Sequence, residues 1–245
     1  MDQKLLKSFL KIVEDSDNIV FFGGAGVSTE SGIPDFRSAG GLYEQRYQYK
    51  YPPEIILSHR FFMKHPEEFF EFYREKMDSL GVAPNITHKK LAELEERGKL
   101  KAVITQNIDG LHQKAGSKNV FELHGSVLRN YCMECGRVHT AGYVFNETKG
   151  IPRCQKQKCN GIVKPDVVLY EEPLDEEVVA GAVEAIADCD TLIIGGTSLT
   201  VHPASGLINY FRGENLILIN KDATDFDSRA DLVINESLGE VFKYL

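Results

Sequence analysis

No stretch of the chain approaches the roughly 20 consecutive apolar residues that a membrane-spanning helix needs, so no membrane association is expected. Net positive charge is missing too: 28 Lys and Arg against 36 Asp and Glu leave −8. A nucleic-acid binder has to lay a basic face on phosphates, so direct nucleic-acid binding is not expected. An acidic surface instead suits a cationic partner such as a lysine-rich protein tail. The opening MDQKLLKSFLKIVED is charged throughout and has none of the apolar core of a secretory signal, which points to a cytoplasmic protein. There are five cysteines, and in a reducing compartment they do not make a disulfide framework. Cys189, apart from the others beside an apolar run, reads as a buried, inert thiol. Repeats and low-complexity tracts are also absent.

What remains is an ordinary globular composition, 42% hydrophobic and 26% charged over 245 residues, enough for one sizeable core and a small appended module. Short Val- and Ile-rich runs recur at Ile19–Phe22, Ala102–Thr105, Val120–Leu123, Val167–Leu169, Thr191–Ile194, Leu216–Ile219 and Leu232–Ile234, and read as buried strands. Amphipathic stretches at Lys4–Glu14, His88–Arg97, Glu176–Ala187 and Ser205–Phe211 read as helices. Strands apolar on both faces and separated by helices imply an α/β fold, a doubly wound parallel-sheet Rossmann-like domain. That domain is expected from residues 1–35, 81–127 and 164–245. Two segments break the alternation, 36–80 (aromatic, ending in a helical pattern) and 128–163 (glycines and cysteine pairs), and are expected to form a smaller lobe. In open α/β sheets, ligands bind beyond the carboxyl ends of the strands, so a lobe placed there would close a cleft.

Several polar and glycine-rich segments fall at those strand ends. The first apolar run enters Gly23-Gly24-Ala25-Gly26, small residues that let backbone turn tightly and approach a pyrophosphate. Gln106-Asn107-Ile108-Asp109 follows the second, His124-Gly125 the third, Gly196-Thr197-Ser198 the run at 191–195, and Asn220-Lys221 the run at 216–219. A histidine with an ordinary pKa near 6.5 suits a general base at neutral pH. Cys132-x2-Cys135, eighteen residues and Cys154-x4-Cys159 resemble a four-cysteine zinc site. Four thiolates at about 2.3 Å leave no open position, so such a zinc would be structural.

GAGVSTESGIPDFR at 24–37, TQNID at 105–109, the His124-Gly125 pair, GTSL at 196–199 and the cysteine pairs together resemble the sirtuins, in order and over nearly the whole chain. The resemblance implies an NAD-dependent protein-lysine deacetylase acting on acetylated lysine side chains of proteins or peptides. The acyl oxygen would attack C1′ of the nicotinamide ribose as nicotinamide leaves, His124 would remove a proton from a ribose hydroxyl, and water would release lysine and O-acetyl-ADP-ribose. In that scheme His124 and Asn107 are catalytic. Gly24, Ala25, Gly26 and Thr29 line the NAD site, and Asp35, Phe36, Arg37, Gln106, Asn107, Ile108, Asp109 and His124 meet its nicotinamide and nicotinamide ribose. Gly196, Thr197, Ser198, Asn220, Lys221 and Leu238 hold its adenosine half. Val168 and Tyr170 line the lysine tunnel on a segment that pairs with the peptide main chain, and Glu171 stands where many members have a small residue. Lys76 stands three residues after Tyr73 where members favouring succinyl or malonyl groups carry Arg, which points to neutral acyl groups, acetyl first. Two other readings use the same NAD site, a protein mono-ADP-ribosyltransferase and a non-catalytic NAD-binding module.

Overall fold

A computed structural model describes residues 2–35 and 49–245. In chain order the first elements are α1 (Gln3–Asp15), β1 (Ile19–Gly23), α2 (Pro53–Ile56), α3 (His59–Lys64), α4 (Pro66–Met77), α5 (Ile86–Glu96), β2 (Leu100–Thr105), α6 (Leu111–Ala115) and β3 (Val120–Glu122). There follow β4 (Gly125–Cys132), β5 (Val138–Thr140), β6 (Val163–Val167), α7 (Glu176–Asp188), β7 (Thr191–Gly195), β8 (Asn215–Ile219), β9 (Leu232–Ile234) and α8 (Leu238–Phe242).

Six strands form one parallel sheet in the order β3-β2-β1-β7-β8-β9. Every residue of β1 and β7 is buried, as strands covered on both faces must be. One face packs Leu6, Phe9 and Val13 of α1, Leu91 and Leu94 of α5 and Val241 and Phe242 of α8 against Phe21, Val103 and Ile193. The other packs Ala182 and Ile186 of α7 against Val20, Phe22, Ile104 and Ile194. The chain reverses its direction of travel across the sheet at β1, between β2 on one side and β7 on the other, which opens a crevice above the carboxyl ends of β1 and β7. Among the described residues no helix is long and apolar enough to cross a membrane.

The second lobe is a three-stranded antiparallel sheet, β5-β4-β6, backed by α2, α3 and α4. Its core joins Phe62, Phe69, Phe70, Phe72 and Tyr73 of the helices to Val127, Val144, Phe145 and Val163 of the cysteine-bearing segment. The rings meet mostly edge to face, with Phe69, Tyr73 and Phe145 stacked in succession at 5.5 and 5.2 Å.

Four details differ from the sequence reading. The strand expected at Val167–Leu169 is displaced: β6 runs over Val163–Val167 and belongs to the small sheet. Pro165 is tolerated because β6 is an edge strand, where a missing N–H costs no ladder bond. Neither β4 nor β5 shows the apolar run of a buried strand, because only one of their faces meets the core. The helix read as His88–Arg97 begins earlier, at Ile86, since Asn85 caps it: its side-chain oxygen accepts from Thr87 N at 2.9 Å while its own N–H donates to His88 Nδ1 at 3.3 Å. The turn of helix expected at Ser205–Phe211 is a 3-10 helix over Ala204–Tyr210.

His88 and His112 are both buried, with ring centroids 4.8 Å apart between α5 and α6. Because His88 Nδ1 accepts a hydrogen bond, the ring is neutral, and burial pulls its pKa down to about 4; burial, then the charge of its neighbour, pulls His112 well below its usual value. Above about pH 6.5 the folded and unfolded chains carry these rings alike. Below it the unfolded chain takes up protons that the folded chain refuses, so stability falls as pH drops from about 6.5 toward 4. For His88 the full effect is on the order of 3 kcal/mol, at about 1.4 kcal/mol per pKa unit. Thermal melts should show Tm dropping between pH 7 and 5, and His88→Gln should lose less over that interval; equal losses would show that the buried rings do not set the slope.

Candidate active site

Two loops meet in the crevice. After β1, Gly24 N donates to Gly195 O at 3.3 Å and Gly26 N to Gly196 O at 2.8 Å. A Cβ on Gly26 would lie 2.8 Å from Gly196 Cα, and one on Gly24 2.7 Å from Thr197 Cβ. Gly196 is itself left-handed at φ +60, and a Cβ there would lie 2.5 Å from Val27 N. Gly24, Gly26 and Gly196 are therefore required by loop-on-loop contact, and not only by the approach of a ligand. Ala25 begins a 3-10 turn over Ala25–Val27, and Thr29 turns its hydroxyl back to Gly26 O at 3.0 Å.

The loop after β2 is tied into this pair. Gln106 Nε2 donates to Thr197 Oγ1 at 3.1 Å. Asn107 Nδ2 donates to Gly24 O at 3.0 Å and to Ser28 Oγ at 3.1 Å. Ser28, buried, passes its own proton to Asp109 Oδ2 at 2.6 Å. Asp109 Oδ1 accepts from Leu111 N at 2.9 Å, capping α6. Burial raises the Asp109 pKa, and the bonds from Ser28 and Leu111 oppose that rise. An ionised carboxylate has about four acceptor positions, so two remain for a ligand amide. Ile108 gives its carbonyl to Val127 N at 2.9 Å, so a contact from its backbone to a ligand falls first to its N–H.

His124 stands at the end of β3, and its ring Nδ1 lies 2.9 Å from Gln106 O. A carbonyl oxygen can only accept, so Nδ1 carries the proton and Nε2 is left basic. Burial lowers the pKa of the ring and so favours the base form at neutral pH, an effect the same carbonyl partly counters. The next residue turns sharply: Gly125 has φ +74, and a Cβ there would sit 2.0 Å from Asp166 O. This explains why the histidine is followed by glycine.

Val168 donates its N–H to His124 O at 3.0 Å, so it flanks the base directly. Tyr170 is exposed, but its amide and carbonyl are both engaged by the helical insertion, with Leu57 O at 3.0 Å and His59 N at 2.9 Å. The segment therefore has less free main chain for a peptide than a bare strand edge would have. Glu171 is left-handed at φ 77, its carboxylate held by the Arg60 guanidinium at 2.6 Å and amide at 3.1 Å.

At the far end of the crevice, both ends of the Asn220 amide are used on the Thr197 backbone, accepting from Thr197 N at 3.0 Å and donating to Thr197 O at 2.6 Å. Asn220 thus shapes the β7 loop first. Ser198 is exposed and bonded to Thr200 at 2.8 Å, and Lys221 is exposed beyond β8. Leu238 is buried in the core, where a Cβ on Gly195 would come within 2.6 Å of it. Asp35 is half-buried at the edge of the described residues, while Phe36 and Arg37 lie outside them.

The cysteine pairs converge. The four sulfurs lie within 4.8 Å of one another, with Cys132 and Cys159 at 3.6 Å and Cys135 and Cys154 at 3.7 Å. A zinc tetrahedron with bonds of about 2.3 Å has edges of roughly 3.8 Å, so Cys132, Cys135, Cys154 and Cys159 fit the metal with no open position. Gly136 turns at φ +68 behind the first pair, and a Cβ on Gly161 would lie 2.6 Å from Cys132 Sγ. Cys189 is buried away from them, its pKa pushed up to about 12 mainly by burial.

Sequence reasoning overlooked two side chains. Ser28 lies inside GAGVSTESGIPDFR, and its link to Asp109 and Asn107 crosses loops that are far apart in the chain. Asn85 precedes an amphipathic helix, a detectable N-cap signal, but with His in place of Glu or Gln three residues on.

The donor set fits a dinucleotide carrying an amide and sugars: a glycine crevice, a buried carboxylate with acceptor capacity left, two side-chain amides and a basic imidazole nitrogen. Comparison with known proteins bears on the same residues. The model of the Sir2 family matches residues 24–203. A protein of Clostridium perfringens named NAD-dependent protein deacetylase is 62% identical over 98% of each chain. One of the same name from Clostridium acetobutylicum is 62% identical over 95% of this chain and 94% of that one. Among solved structures, a Sir2 variant with deacetylated p53 peptide and 3′-O-acetyl ADP-ribose superposes with a TM-score of 0.88 at 38% identity, covering 97% of this chain and 96% of that one. Sir2 with p53 peptide and NAD+ gives 0.85 at 38% identity over 98% and 96%. The strand-end glycines, the polar loop after β2 and the histidine at the end of β3 all fall inside the matched span, and the chain belongs to the Sir2 family.

Proposed function

We propose that the chain is an NAD-dependent protein-lysine deacetylase that yields nicotinamide, free lysine and O-acetyl-ADP-ribose. The observation that carries this reading is the fixed tautomer of His124, basic at Nε2 beside a polar crevice at the sheet's switch point. Relatives named for this activity at 62% identity support it.

Bound NAD supplies an electrophilic ribose carbon with nicotinamide as its leaving group. Asp109 and Ile108 would hold the carboxamide, with Ser28 orienting the carboxylate. Asn107, pinned through its amide to Gly24 and Ser28, would position the ribose, and Gln106 would contact it. His124 Nε2 would take a ribose hydroxyl proton, and the Gln106 carbonyl at Nδ1 would stabilise the imidazolium that results. Gly24, Ala25, Gly26 and Thr29 would cradle the cofactor, with Asp35, Phe36 and Arg37 covering the nicotinamide. Gly196, Thr197 and Ser198, the last two through their hydroxyls, would meet the phosphate and adenosine ribose with Asn220 behind them; Lys221 and Leu238 complete that end. Val168 and Tyr170 would receive the acyl-lysine, Tyr170 through its ring. Zinc on the four cysteines is structural and supplies no chemistry.

Neutral acyl groups are favoured by the fate of the cations on α4. Arg74 is spent on Val144 O at 2.8 Å, Gly150 O at 2.6 Å and Thr148 Oγ1 at 3.1 Å. Lys76 pairs with Glu75 at 3.0 Å. Neither is positioned to grip a carboxylated acyl chain with two parallel bonds. The domain division we infer remains 1–35, 81–127 and 164–245 against 36–80 and 128–163, with boundaries that cut through β4 and β6 of the small sheet. A cytoplasmic setting is supported by four cysteines gathered as zinc ligands and not paired as disulfides.

Mass spectrometry of an acetyl-lysine peptide with and without NAD tests the function. Acetyl loss that requires NAD, with nicotinamide and O-acetyl-ADP-ribose in equal amounts, is expected; nicotinamide without deacetylation would move ADP-ribosyl transfer ahead. His124→Ala should lose at least about 100-fold in kcat while binding NAD within about threefold of wild type. The acidic limb of kcat/KM should have its midpoint below 6.5, because burial lowers the base's pKa; a midpoint above 6.5 would show that His124 is not the buried base that sets the limb. Stripping the metal with a chelator should release four thiols to a thiol reagent and lower both Tm and turnover, and full activity in metal-free protein would refute a structural zinc.

A further inference from the structure

The turn between β1 and the Pro34-Asp35 segment is held mainly by its own short-range bonds. Val27 N donates to Gly24 O, Ser28 N to Ala25 O, Ser31 N to Ser28 O and Ile33 N to Ser28 O, at 3.0 to 3.2 Å. Such a ladder gives the turn a shape without fixing its position. On the crevice side Gly196, Asn107 and Asp109 anchor it. On the opposite side a side chain from α5 does so. Asn85 Nδ2 donates to Val27 O at 2.7 Å and to Ser31 Oγ at 3.0 Å. The orientation of the amide follows from chemistry: its oxygen must face the N–H of Thr87, and its nitrogen the carbonyl of Val27, which can only accept. The Asn85 N–H closes the other half of the cap on His88 Nδ1. His88 in turn packs on His112, three residues past Asp109.

We propose that Asn85 is a positioning residue for the NAD-binding loop, its side-chain oxygen capping α5 while its side-chain nitrogen holds Val27 and Ser31, so that helix and loop keep one register. Ser31 is four residues before Asp35, so the bond sits at the root of the segment that leads to the cofactor-covering residues. The proposal rests on the reading of this crevice as an NAD site.

The two roles of Asn85 separate by substitution. Ser and Asp cap helices about as well as Asn, but a carboxylate has no hydrogen to give the Val27 carbonyl, and a Ser side chain is too short to reach Val27 and Ser31 while it caps. Calorimetric titration with NAD is expected to show Kd raised about tenfold in Asn85→Ser, the loss of two hydrogen bonds of ordinary net strength, and raised less in Asn85→Asp, whose carboxylate can still accept from the Ser31 hydroxyl. Thermal melts should stay within a few degrees of wild type, because the cap survives. Ser31→Ala, which touches no cap, should weaken NAD by about threefold in the wild-type background and not at all in Asn85→Ser, since the two groups share one bond. NAD affinity within twofold of wild type in Asn85→Ser, or the same Ser31→Ala loss in both backgrounds, would overturn the proposal. A wild type that binds NAD without deacetylating would count against the functional reading alone.

Discussion

The contact between Gly26 and Gly196 governs the site. Parallel strands β1 and β7 deliver their loops side by side at the point where the sheet changes direction, and a side chain at Gly26 or Gly196 would force the two apart. With hydrogen in place of Cβ, the loops meet through main-chain bonds at 2.8 and 3.3 Å. This close approach puts the turn over Ala25–Val27 within reach of Asn107 and puts Thr197 within reach of Gln106. The loop after β2 can then bridge both, and its carbonyl at Gln106 becomes the fixed point against which the His124 ring is oriented. A change in the glycine contact would therefore propagate to the base without touching it.

Polarity in the crevice is organised around groups with only one available role. Carbonyl oxygens accept and cannot donate, so Gln106 O fixes the imidazole tautomer and Gly24 O fixes the Asn107 amide. Ser28 works the other way: it accepts a hydrogen bond from Asn107 and donates one to Asp109, so one hydroxyl orders an amide and a carboxylate together. Each group is buried or half-buried, where an unmet donor or acceptor is costly, so the orientations are held firmly before any ligand arrives. Such preorganisation suits the role proposed for His124.

Most of the large sheet was legible because strands buried on both faces, such as β1 and β7, announce themselves as continuous apolar runs. The small sheet was not. In β4 the buried pattern is broken by exposed Leu128 and Arg129, and β6 carries Pro165, so neither shows a clean periodicity. The polar residues that the fold gathers at the strand ends could be named from sequence, since position past a carboxyl edge is itself a signal. What those side chains bond to could not. Asn220 turned out to hold the Thr197 backbone and Leu238 to fill the core under Gly195, because both depend on which strands lie side by side. Asn85 was hidden for a different reason: with His88 as its capping partner it lacks the Glu or Gln that marks the usual box.

The smaller lobe explains how a cysteine-bearing segment with few apolar residues can be a rigid wall of the cleft. Its knuckles at 132–136 and 154–161 carry little buried hydrocarbon of their own, which by itself would leave the fold to the metal. Val144 and Phe145 instead lodge in the aromatic cluster of α3 and α4, and Arg74 from α4 reaches across to the carbonyls of Val144 and Gly150. The turn from α2 into α3 holds the main chain of Tyr170 from the other side. The insertion is thus the common support of both the cysteine module and the segment beside His124. Zinc is then required to close the knuckles, while the aromatic core and Arg74 set where those knuckles stand relative to the base.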